Sequence, residues 1–268
     1  MKTRLITAAV GVPFLIFVLV VRGWFAELMI ALLTIIAMQE CYRALGKAGY
    51  NVCTWGGYAA AVAMWPLSRV MGVLDPLLLV VAAMGISMTG VMLREKPTFP
   101  DAAASVYPLF TCFLPMSMFM MMMNSTYGVV PGIALITMAF AIAYVGDGAA
   151  YFGGRAMGKH KLCPNVSPKK TVEGAIFGVV GGIIGGLICR AVFVYAFHMP
   201  MPGIPAAIAL GLIGSVAGEI GDLSASLLKR HSGIKDYGKI FPGHGGVMDR
   251  FDSVIFTLIV MYCYTLVL

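Results

Sequence analysis

The chain alternates between long apolar stretches and short polar connections along its whole length. About nine of these stretches have roughly 20 residues, the length that an α-helix needs to cross the hydrocarbon core of a bilayer. They run over residues 5–21, 25–42, 54–71, 76–93, 102–123, 132–152, 172–197, 205–228 and 251–268. The pattern predicts an all-α fold, a polytopic integral membrane protein of about nine transmembrane helices with no separate soluble domain.

The composition excludes the soluble alternatives. Of the 268 residues, 60% are hydrophobic and only 12% are charged, whereas a soluble domain carries about 25% charged residues. A soluble fold of this length could not bury so much apolar surface and still present a charged exterior to water. A disordered chain is excluded as well, because disorder requires low hydrophobicity.

The distribution of positive charge predicts the orientation. The formal net charge is +7, and all lysines and arginines except Arg22, Arg69 and Arg190 fall on one side if the N-terminus is cytosolic. Because positive residues concentrate in the cytosolic loops of membrane proteins, we expect a multi-pass protein of the cytoplasmic or inner membrane. Its N-terminus and basic loops would face the cytosol, and its C-terminus the far side. The charge therefore does not indicate binding to nucleic acid.

The acidic residues divide the chain into two parts. Residues 1–130 hold about five spans, and we expect Glu27 and Glu40, near the ends of the second span, to be solvated at the interface. Residues 131–268 hold about four spans, two basic loops and most of the acids, namely Asp147, Glu173, Glu219, Asp222, Asp236, Asp249 and Asp252. All but Asp236 lie near cytosolic span ends, and ionisable groups within spans usually mark a site. The second part is thus predicted to be catalytic, with its active site at the cytosolic membrane boundary.

The spacing of four carboxylates suggests a metal site. Glu219 and Asp222 are three residues apart on one predicted helix, and Asp249 and Asp252 repeat this spacing on the next. Each pair can therefore share a helix face. Oxygen ligands of this kind suit Mg²⁺, which typically binds one or two carboxylates together with substrate phosphates. The alternative is that Asp249 pairs with Arg250 or a neighbouring lysine and only anchors the helix end.

Two basic loops with glycines flank these acids. They cover residues 153–171 and 229–250, and the second contains the sequence Pro-Gly-His-Gly-Gly at 242–246. Glycines allow backbone N–H groups to approach phosphates, and lysine or arginine supplies the countercharge. For Lys159 and Lys161, the alternative is that they serve only to orient the chain in the membrane. Cations, glycines and carboxylates together indicate phosphate chemistry with Mg²⁺.

Two other phosphate motifs fail in detail. Residues 153–159 match the first seven positions of a P-loop, but His160 replaces the Ser or Thr that binds Mg²⁺, and a transmembrane helix precedes the stretch instead of a strand. Asp147-Gly148 begins like the motif of CDP-alcohol phosphotransferases, but Tyr151 and Phe152 stand where that motif requires Ala-Arg.

Residues 226–252 carry a family resemblance. The stretch reads SLLKRHSGIKDYGKIFPGHGGVMDRFD and resembles the signature of the phosphatidate cytidylyltransferase (CDP-diacylglycerol synthase) family. The stretch SPKKTVEG at 167–174 and GDLS at 221–224 are also similar to that family. The resemblance is tight over about residues 147–252, while the earlier spans agree only in being apolar.

The resemblance implies the reaction CTP + phosphatidate → CDP-diacylglycerol + pyrophosphate, dependent on Mg²⁺. It also implies that the partners are CTP, phosphatidate, the bilayer lipid and a second copy of the chain in a homodimer. Our hypothesis for the metals is that Asp222 and Asp249 bind Mg²⁺, whereas Asp252, Glu219 and Asp147 ligate a second cation, with K⁺ as one candidate, or support the first.

The predicted substrate-binding residues fall in the two basic loops. The cations expected to bind the triphosphate or the lipid phosphate are Lys169, Lys170, Lys229, Arg230, Lys235 and Arg250. The polar and loop residues expected at the substrate are Ser167, Thr171, Asp236, His244, Gly245 and Gly246. His244 could also lend a proton or a hydrogen bond to the leaving pyrophosphate, and Asp222, Asp249, Lys229, Arg230, His244 and Arg250 form the predicted catalytic set.

Two rival functions remain open. A transporter of an anionic substrate would place its charges near the membrane midplane on broken helices, whereas these acids lie in one boundary layer. A CTP-dependent lipid kinase of the polyprenol type would share the metal and the CTP but transfer the γ-phosphate. A further feature is the glycine stripe at 174, 178, 182 and 186, with Gly181 and Gly185 beside it. It predicts close helix packing, which we expect within the chain.

Overall fold

A computed structural model describes residues 11, 13–14, 16–70, 76–123, 125–243 and 245–267. The chain is mostly helical. The helices are α1 (Gly23–Lys47), α2 (Trp55–Val70), α3 (Pro76–Met92), α4 (Phe99–Pro108), a π-helical turn (Leu109–Phe113), α5 (Leu114–Met123), α6 (Gly132–Met157), α7 (Val172–Tyr195), α8 (Ile204–His231) and α9 (Met248–Thr265). Two antiparallel hairpins interrupt them, formed by β1 (Thr126–Tyr127) with β2 (Val130–Pro131), and by β3 (Lys161–Cys163) with β4 (Ser167–Thr171).

Five of the described helical segments are long and apolar enough to cross a membrane: Gly23–Lys47, Phe99–Met123, Gly132–Met157, Val172–Tyr195 and Ile204–His231. Helices α2 and α3 have 16 and 17 residues, about 25 Å at 1.5 Å per residue, which is shorter than the hydrocarbon core. Helix α9 carries three charged residues in its first turns. The predicted span at 5–21 is described only at residues 11, 13–14 and 16–21, so the membrane character stands and the count of nine stays a prediction.

The described chain forms two compact units. The first consists of Met1–Met123 with Leu228–Phe251, and the second of Asn124–Leu227 with Asp252–Leu268. Buried side chains of the first unit come from α1, the π-helical turn and α5, among them Ile30, Met38, Phe113 and Phe119. The methionines of α5 are mostly buried here and fill this apolar interior. The predicted division at residue 130 stays a prediction about function.

Helices α6 and α7 of the second unit pack through glycine and alanine. A methyl group added at Gly178 would touch Ala150, one at Gly181 would touch Ala149, and one at Gly146 would approach the backbone of α7. All six glycines of the predicted stripe are buried. The expectation of packing within the chain is confirmed, because small residues let the two helix backbones approach closely.

The start of the first basic loop was predicted wrongly. The sequence pattern ends the sixth span at residue 152, but α6 continues to Met157, so Gly153, Gly154 and Arg155 are helical. The physical reason is tertiary, because Gly153 lies against the ring of Phe177 and Gly154 lies against Thr171. Residues Lys161–Thr171 then form the β3–β4 hairpin, a local exception to an all-α fold.

Candidate active site

A cavity of about 340 Å³ opens in the second unit between α6, α7, α8 and strand β4. Charged residues of both signs line it, and these are Asp147, Arg155, Lys169, Lys170, Glu219 and Asp222. The exposed aromatic ring of Tyr151 adds an apolar contribution to the same lining. Five of these six charged residues belong to the predicted site, and Arg155 is an addition that helix α6 contributes because it extends past residue 152.

Lys170 joins the two carboxylates of α8. Its Nζ lies 2.8 Å from Glu219 Oε1 and 2.6 Å from Asp222 Oδ2. The spacing of three residues on one helix brings Glu219 and Asp222 to the same face, as the sequence pattern predicted. All three side chains are partly buried, with 22–26% of each exposed. The two acidic oxygens therefore converge on one positively charged atom.

Lys170 remains charged in this setting. Burial alone would lower its pKa, but Asp222 and Glu219 together raise it above the ordinary value for lysine. The ammonium group thus stays protonated at neutral pH and above it. In chemical terms, the pair of carboxylates holds a cation at the edge of the cavity.

Asp147 faces the same cavity from α6. Its Oδ2 accepts a hydrogen bond of 3.0 Å from the hydroxyl of Ser253 on α9. Asp252, which precedes Ser253 in the chain, is buried, and its Oδ1 accepts the backbone N–H of Ser253 at 3.0 Å. Ser253 therefore links two of the predicted acids, a role that the sequence pattern did not indicate.

The β3–β4 hairpin presents the predicted polar residues. Ser167 pairs with Cys163 in the hairpin, and Lys169 is exposed on the cavity lining. Thr171 caps α7, since its hydroxyl accepts the backbone N–H of Gly174 at 3.1 Å. Thr171 thus has a structural partner inside the chain, and it also lines the cavity.

Glu173 fixes the beginning of this hairpin. Its carboxylate accepts the backbone N–H groups of Lys159 and His160 and contacts the Nδ1 of His160 at 2.6 Å. The carboxylate of Glu173 is therefore engaged by the connection after α6, and Glu173 is not among the residues that line the cavity.

Asp249 lies in the first unit at the beginning of α9, and 7% of it is exposed. Its Oδ2 accepts the backbone N–H groups of Tyr237 at 2.7 Å and Gly246 at 2.9 Å, and its Oδ1 lies 3.0 Å from Lys229 Nζ. These contacts favour the alternative in which Asp249 anchors the helix end, with Lys229 as the lysine. The assignment of Asp249 to Mg²⁺ stays a prediction.

Lys229 and Tyr237 complete the surroundings of Asp249. The Nζ of Lys229 also lies 5.5 Å from the centroid of the Tyr237 ring, a cation–π distance. Burial is the largest cause that raises the pKa of Tyr237, so its phenol stays neutral. The cluster is therefore well shielded from solvent.

Glu40 was predicted wrongly. We expected it to be solvated at the membrane interface, but only 3% of it is exposed and its carboxylate accepts the backbone N–H groups of Val247 and Met248. Glu27, with 8% exposed, is buried as well. The sequence contained one signal: Glu40 shares a helical face with the apolar Ala37, Cys41 and Ala44, a position where solvation is not expected.

The other predicted residues lie in the last turn of α8, in the connection that follows it, and in the first turn of α9. Arg230, Lys235, Asp236 and Arg250 are exposed, and His244 lies outside the described residues. Gly245 has a φ of 86° and pairs with Phe241 across the turn, so the loop uses glycine where a left-handed backbone is required.

The donor chemistry fits Mg²⁺ in the cavity of the second unit. Among the residues that the structure describes, no group of three or more His, Cys, Asp and Glu side chains is arranged to hold a metal ion. Mg²⁺ commonly takes only one or two carboxylates and completes its coordination with water and substrate phosphates. Glu219 and Asp222, which already share one cationic partner, provide such a pair.

Comparison with known proteins identifies the family of the chain. The model of a family described as "Cytidylyltransferase family" matches residues 2–268. The chain belongs to the cytidylyltransferase family. This finding confirms the resemblance that residues 226–252 carried.

Three proteins that are similar to this chain have the same name. A phosphatidate cytidylyltransferase of Staphylococcus haemolyticus is 33% identical over 264 residues, 96% of each chain. Proteins of the same name from Staphylococcus epidermidis and Bacillus subtilis are 43% identical over 127 residues and 40% identical over 131 residues. These two alignments span about half of this chain and 47% of each relative's length.

Proposed function

We propose that this protein transfers a cytidylyl group from CTP to phosphatidate and forms CDP-diacylglycerol and pyrophosphate. The observation that carries the proposal is the cavity in which Lys170 joins Glu219 and Asp222, in a chain of the cytidylyltransferase family. Both substrates are polyanions, so the main requirement is to neutralise and align their phosphates.

The reaction itself needs little proton transfer. A phosphate oxygen of phosphatidate attacks the α-phosphorus of CTP, the new P–O bond forms, and the bond to the β-phosphate breaks as pyrophosphate leaves. The attacking oxygen is already ionised near neutral pH, so no strong general base is required. The role of the chain is therefore to bind the two phosphate groups in line.

The residues of the cavity can perform this task. Lys170, Lys169 and Arg155 supply positive charge on one lining, and they would bind phosphate oxygens. Tyr151 of the cavity lining and the next residue in α6, Phe152, have exposed rings that offer an apolar surface for a lipid substrate. Charged and apolar groups thus meet where a phospholipid would present its headgroup.

Mg²⁺ would be held by Asp222 and Glu219, with Asp147 nearby. Bound there, the ion would neutralise the triphosphate and polarise the phosphorus that is attacked. The same proposal keeps Asp249 as a ligand of Mg²⁺. Asp252 would support the site or bind a second cation such as K⁺. Lys229, Arg230, Lys235 and Arg250, in the signature of residues 226–252, are proposed to bind phosphate as well.

The finer membrane features are part of the proposal. We propose about nine spans with the N-terminus and basic loops in the cytosol, because CTP is a cytosolic solute and the basic residues would attract it. A homodimer is proposed from the family resemblance. Reporter fusions at the connections would test the topology, and a cytosolic C-terminus would contradict it.

One assay tests the proposed function. The purified protein receives phosphatidate and CTP labelled either in the cytosine or in the γ-phosphate, with and without Mg²⁺. Cytosine label in lipid that depends on Mg²⁺ is the expected result. Transfer of only the γ-phosphate label to lipid would identify a kinase, and no label in lipid would favour transport; either result would overturn the proposal.

A further inference from the structure

Glu40 of α1 binds the beginning of α9. Its Oε1 accepts the backbone N–H of Val247 at 3.1 Å, and its Oε2 accepts the N–H of Met248 at 2.9 Å. The first N–H groups of a helix have no acceptor within the helix. A carboxylate at this end is also favoured by the helix dipole. One buried side chain therefore satisfies two amides that residues of α9 cannot satisfy.

The glycines around Glu40 fit this contact. A methyl group added at Gly238 or Gly246 would overlap the Oε1 of Glu40. Gly246 is not among the glycines with positive φ, unlike Gly243 and Gly245. Its lack of a side chain is therefore required by the approach of the carboxylate and not by the backbone conformation.

Two carboxylates share the three consecutive amides of this loop. Gly246 donates its N–H to Asp249, while Val247 and Met248 donate theirs to Glu40. Asp249 in turn accepts the N–H of Tyr237 and contacts Lys229. Glu40 and Asp249 thus bind adjacent amides of the glycine loop. If the loss of Glu40 displaces the amide of Val247, the neighbouring amide of Gly246, which binds Asp249, moves with it.

We propose that Glu40 is a positioning residue for catalysis. Its carboxylate fixes residues 246–247 and the first turn of α9, and so holds Asp249 and Lys229 in the arrangement they adopt. The link to catalysis rests on the proposed function. The hydrogen bonds to Val247 and Met248 are present in the structure and do not depend on that function.

The isosteric variant Glu40→Gln tests both parts. The Gln side chain keeps one acceptor oxygen, but its carboxamide NH₂ group faces the other backbone N–H, which then has no acceptor. Hydrogen exchange of the amides of Val247 and Met248 should therefore accelerate about tenfold or more. The Mg²⁺ concentration for half-maximal cytidylyl transfer should rise about threefold or more, because the loop that orients Asp249 is loosened. This half-maximal Mg²⁺ concentration does not depend on how much of the protein is folded, so it distinguishes a positioning role from a loss of folded protein.

Glu27→Gln is the matched control. It removes another buried carboxylate from α1, about 20 Å along the helix axis from Glu40, and it should change neither amide exchange at 246–248 nor the Mg²⁺ dependence. Unchanged exchange in Glu40→Gln would overturn the capping contact. Faster exchange with an unchanged Mg²⁺ dependence would reduce Glu40 to a structural residue and overturn the positioning role. If the wild type forms no labelled lipid, the proposed function fails and the catalytic link fails with it, while the exchange measurement still decides the contact.

A second set of variants remains informative if Glu40→Gln folds poorly. Gly246→Ala should lower the unfolding temperature because the three atoms nearest to its methyl group would be those of the Glu40 carboxylate, close enough to overlap with it. Glu40→Ala removes that obstacle, so the double variant should unfold at the same temperature as Glu40→Ala alone. Losses that simply add would show that the carboxylate does not lie against Gly246, and the proposal would be wrong.

Discussion

The two units hold their acidic side chains in different ways. In the first unit, Glu40 and Asp249 are nearly inaccessible and bind backbone N–H groups. In the second unit, Glu219 and Asp222 line a cavity and share the side-chain ammonium group of Lys170. A carboxylate that binds several amides shapes the chain, because moving it would leave buried donors unsatisfied. A carboxylate bound to a side-chain cation at a cavity can exchange that cation for another.

The largest effect is expected from Asp222→Asn. Loss of one anionic ligand should reduce cytidylyl transfer by at least about a hundredfold, since metal-bound charge contributes several kcal/mol to such reactions. The unfolding temperature should change little, because the cavity hydrates the new amide. Labelled CDP-diacylglycerol is measured beside thermal unfolding, with the exposed Glu95→Gln as control. Near-normal transfer would remove Asp222 from the site.

Asp249→Asn should act on stability as well as activity. The variant loses the charge that pairs with Lys229 and weakens the contacts to Tyr237 and Gly246. Removing one partner from a buried network of this kind costs about 2–4 kcal/mol of unfolding free energy. Thermal or denaturant unfolding measures the loss. An Asp249→Asn protein as stable as the wild type would abolish the contrast between the two units.

Lys170→Met should increase the stabilisation by Mg²⁺. Without the ammonium, Glu219 and Asp222 repel each other, and the vacated position no longer competes with a divalent ion. The rise in unfolding temperature at a given Mg²⁺ concentration should therefore exceed that of the wild type, while transfer falls about tenfold. The exposed Lys96→Met is the control. An equal or smaller Mg²⁺ effect would show that Lys170 and the metal do not use the same oxygens.

The smallest effect concerns pH. The raised pKa of Lys170 means that its contribution to stability is complete below the pKa in the unfolded chain, about 10.4. It should disappear only as the pH rises through the higher folded value. The difference in unfolding temperature between wild type and Lys170→Met should thus be constant from pH 8 to 10 and shrink above it. A difference that vanishes below pH 9 would contradict the ion pair.

The sequence predicted the membrane character, the family and one acidic pair because these depend on local patterns. Apolar runs indicate helices, and the spacing of Glu219 and Asp222 puts both on one helix face. The extension of α6 to Met157 depends instead on Phe177 and Thr171, which come later in the chain. The role of Glu40 depends on amides that lie 207 and 208 residues away. No periodicity along the chain reports such a partner.

The hydrogen bonds of Glu40 also have a consequence for dividing the protein into fragments. The signature stretch of residues 226–252 includes the amides of Val247 and Met248 but not the carboxylate that accepts them. A fragment that starts after α1 would leave both donors without this acceptor. Fragment complementation with a separately expressed α1 peptide should therefore restore the turn before α9, whereas a peptide with Gln at position 40 should do so less well. The smallest fragment that folds with this turn intact therefore has to include α1.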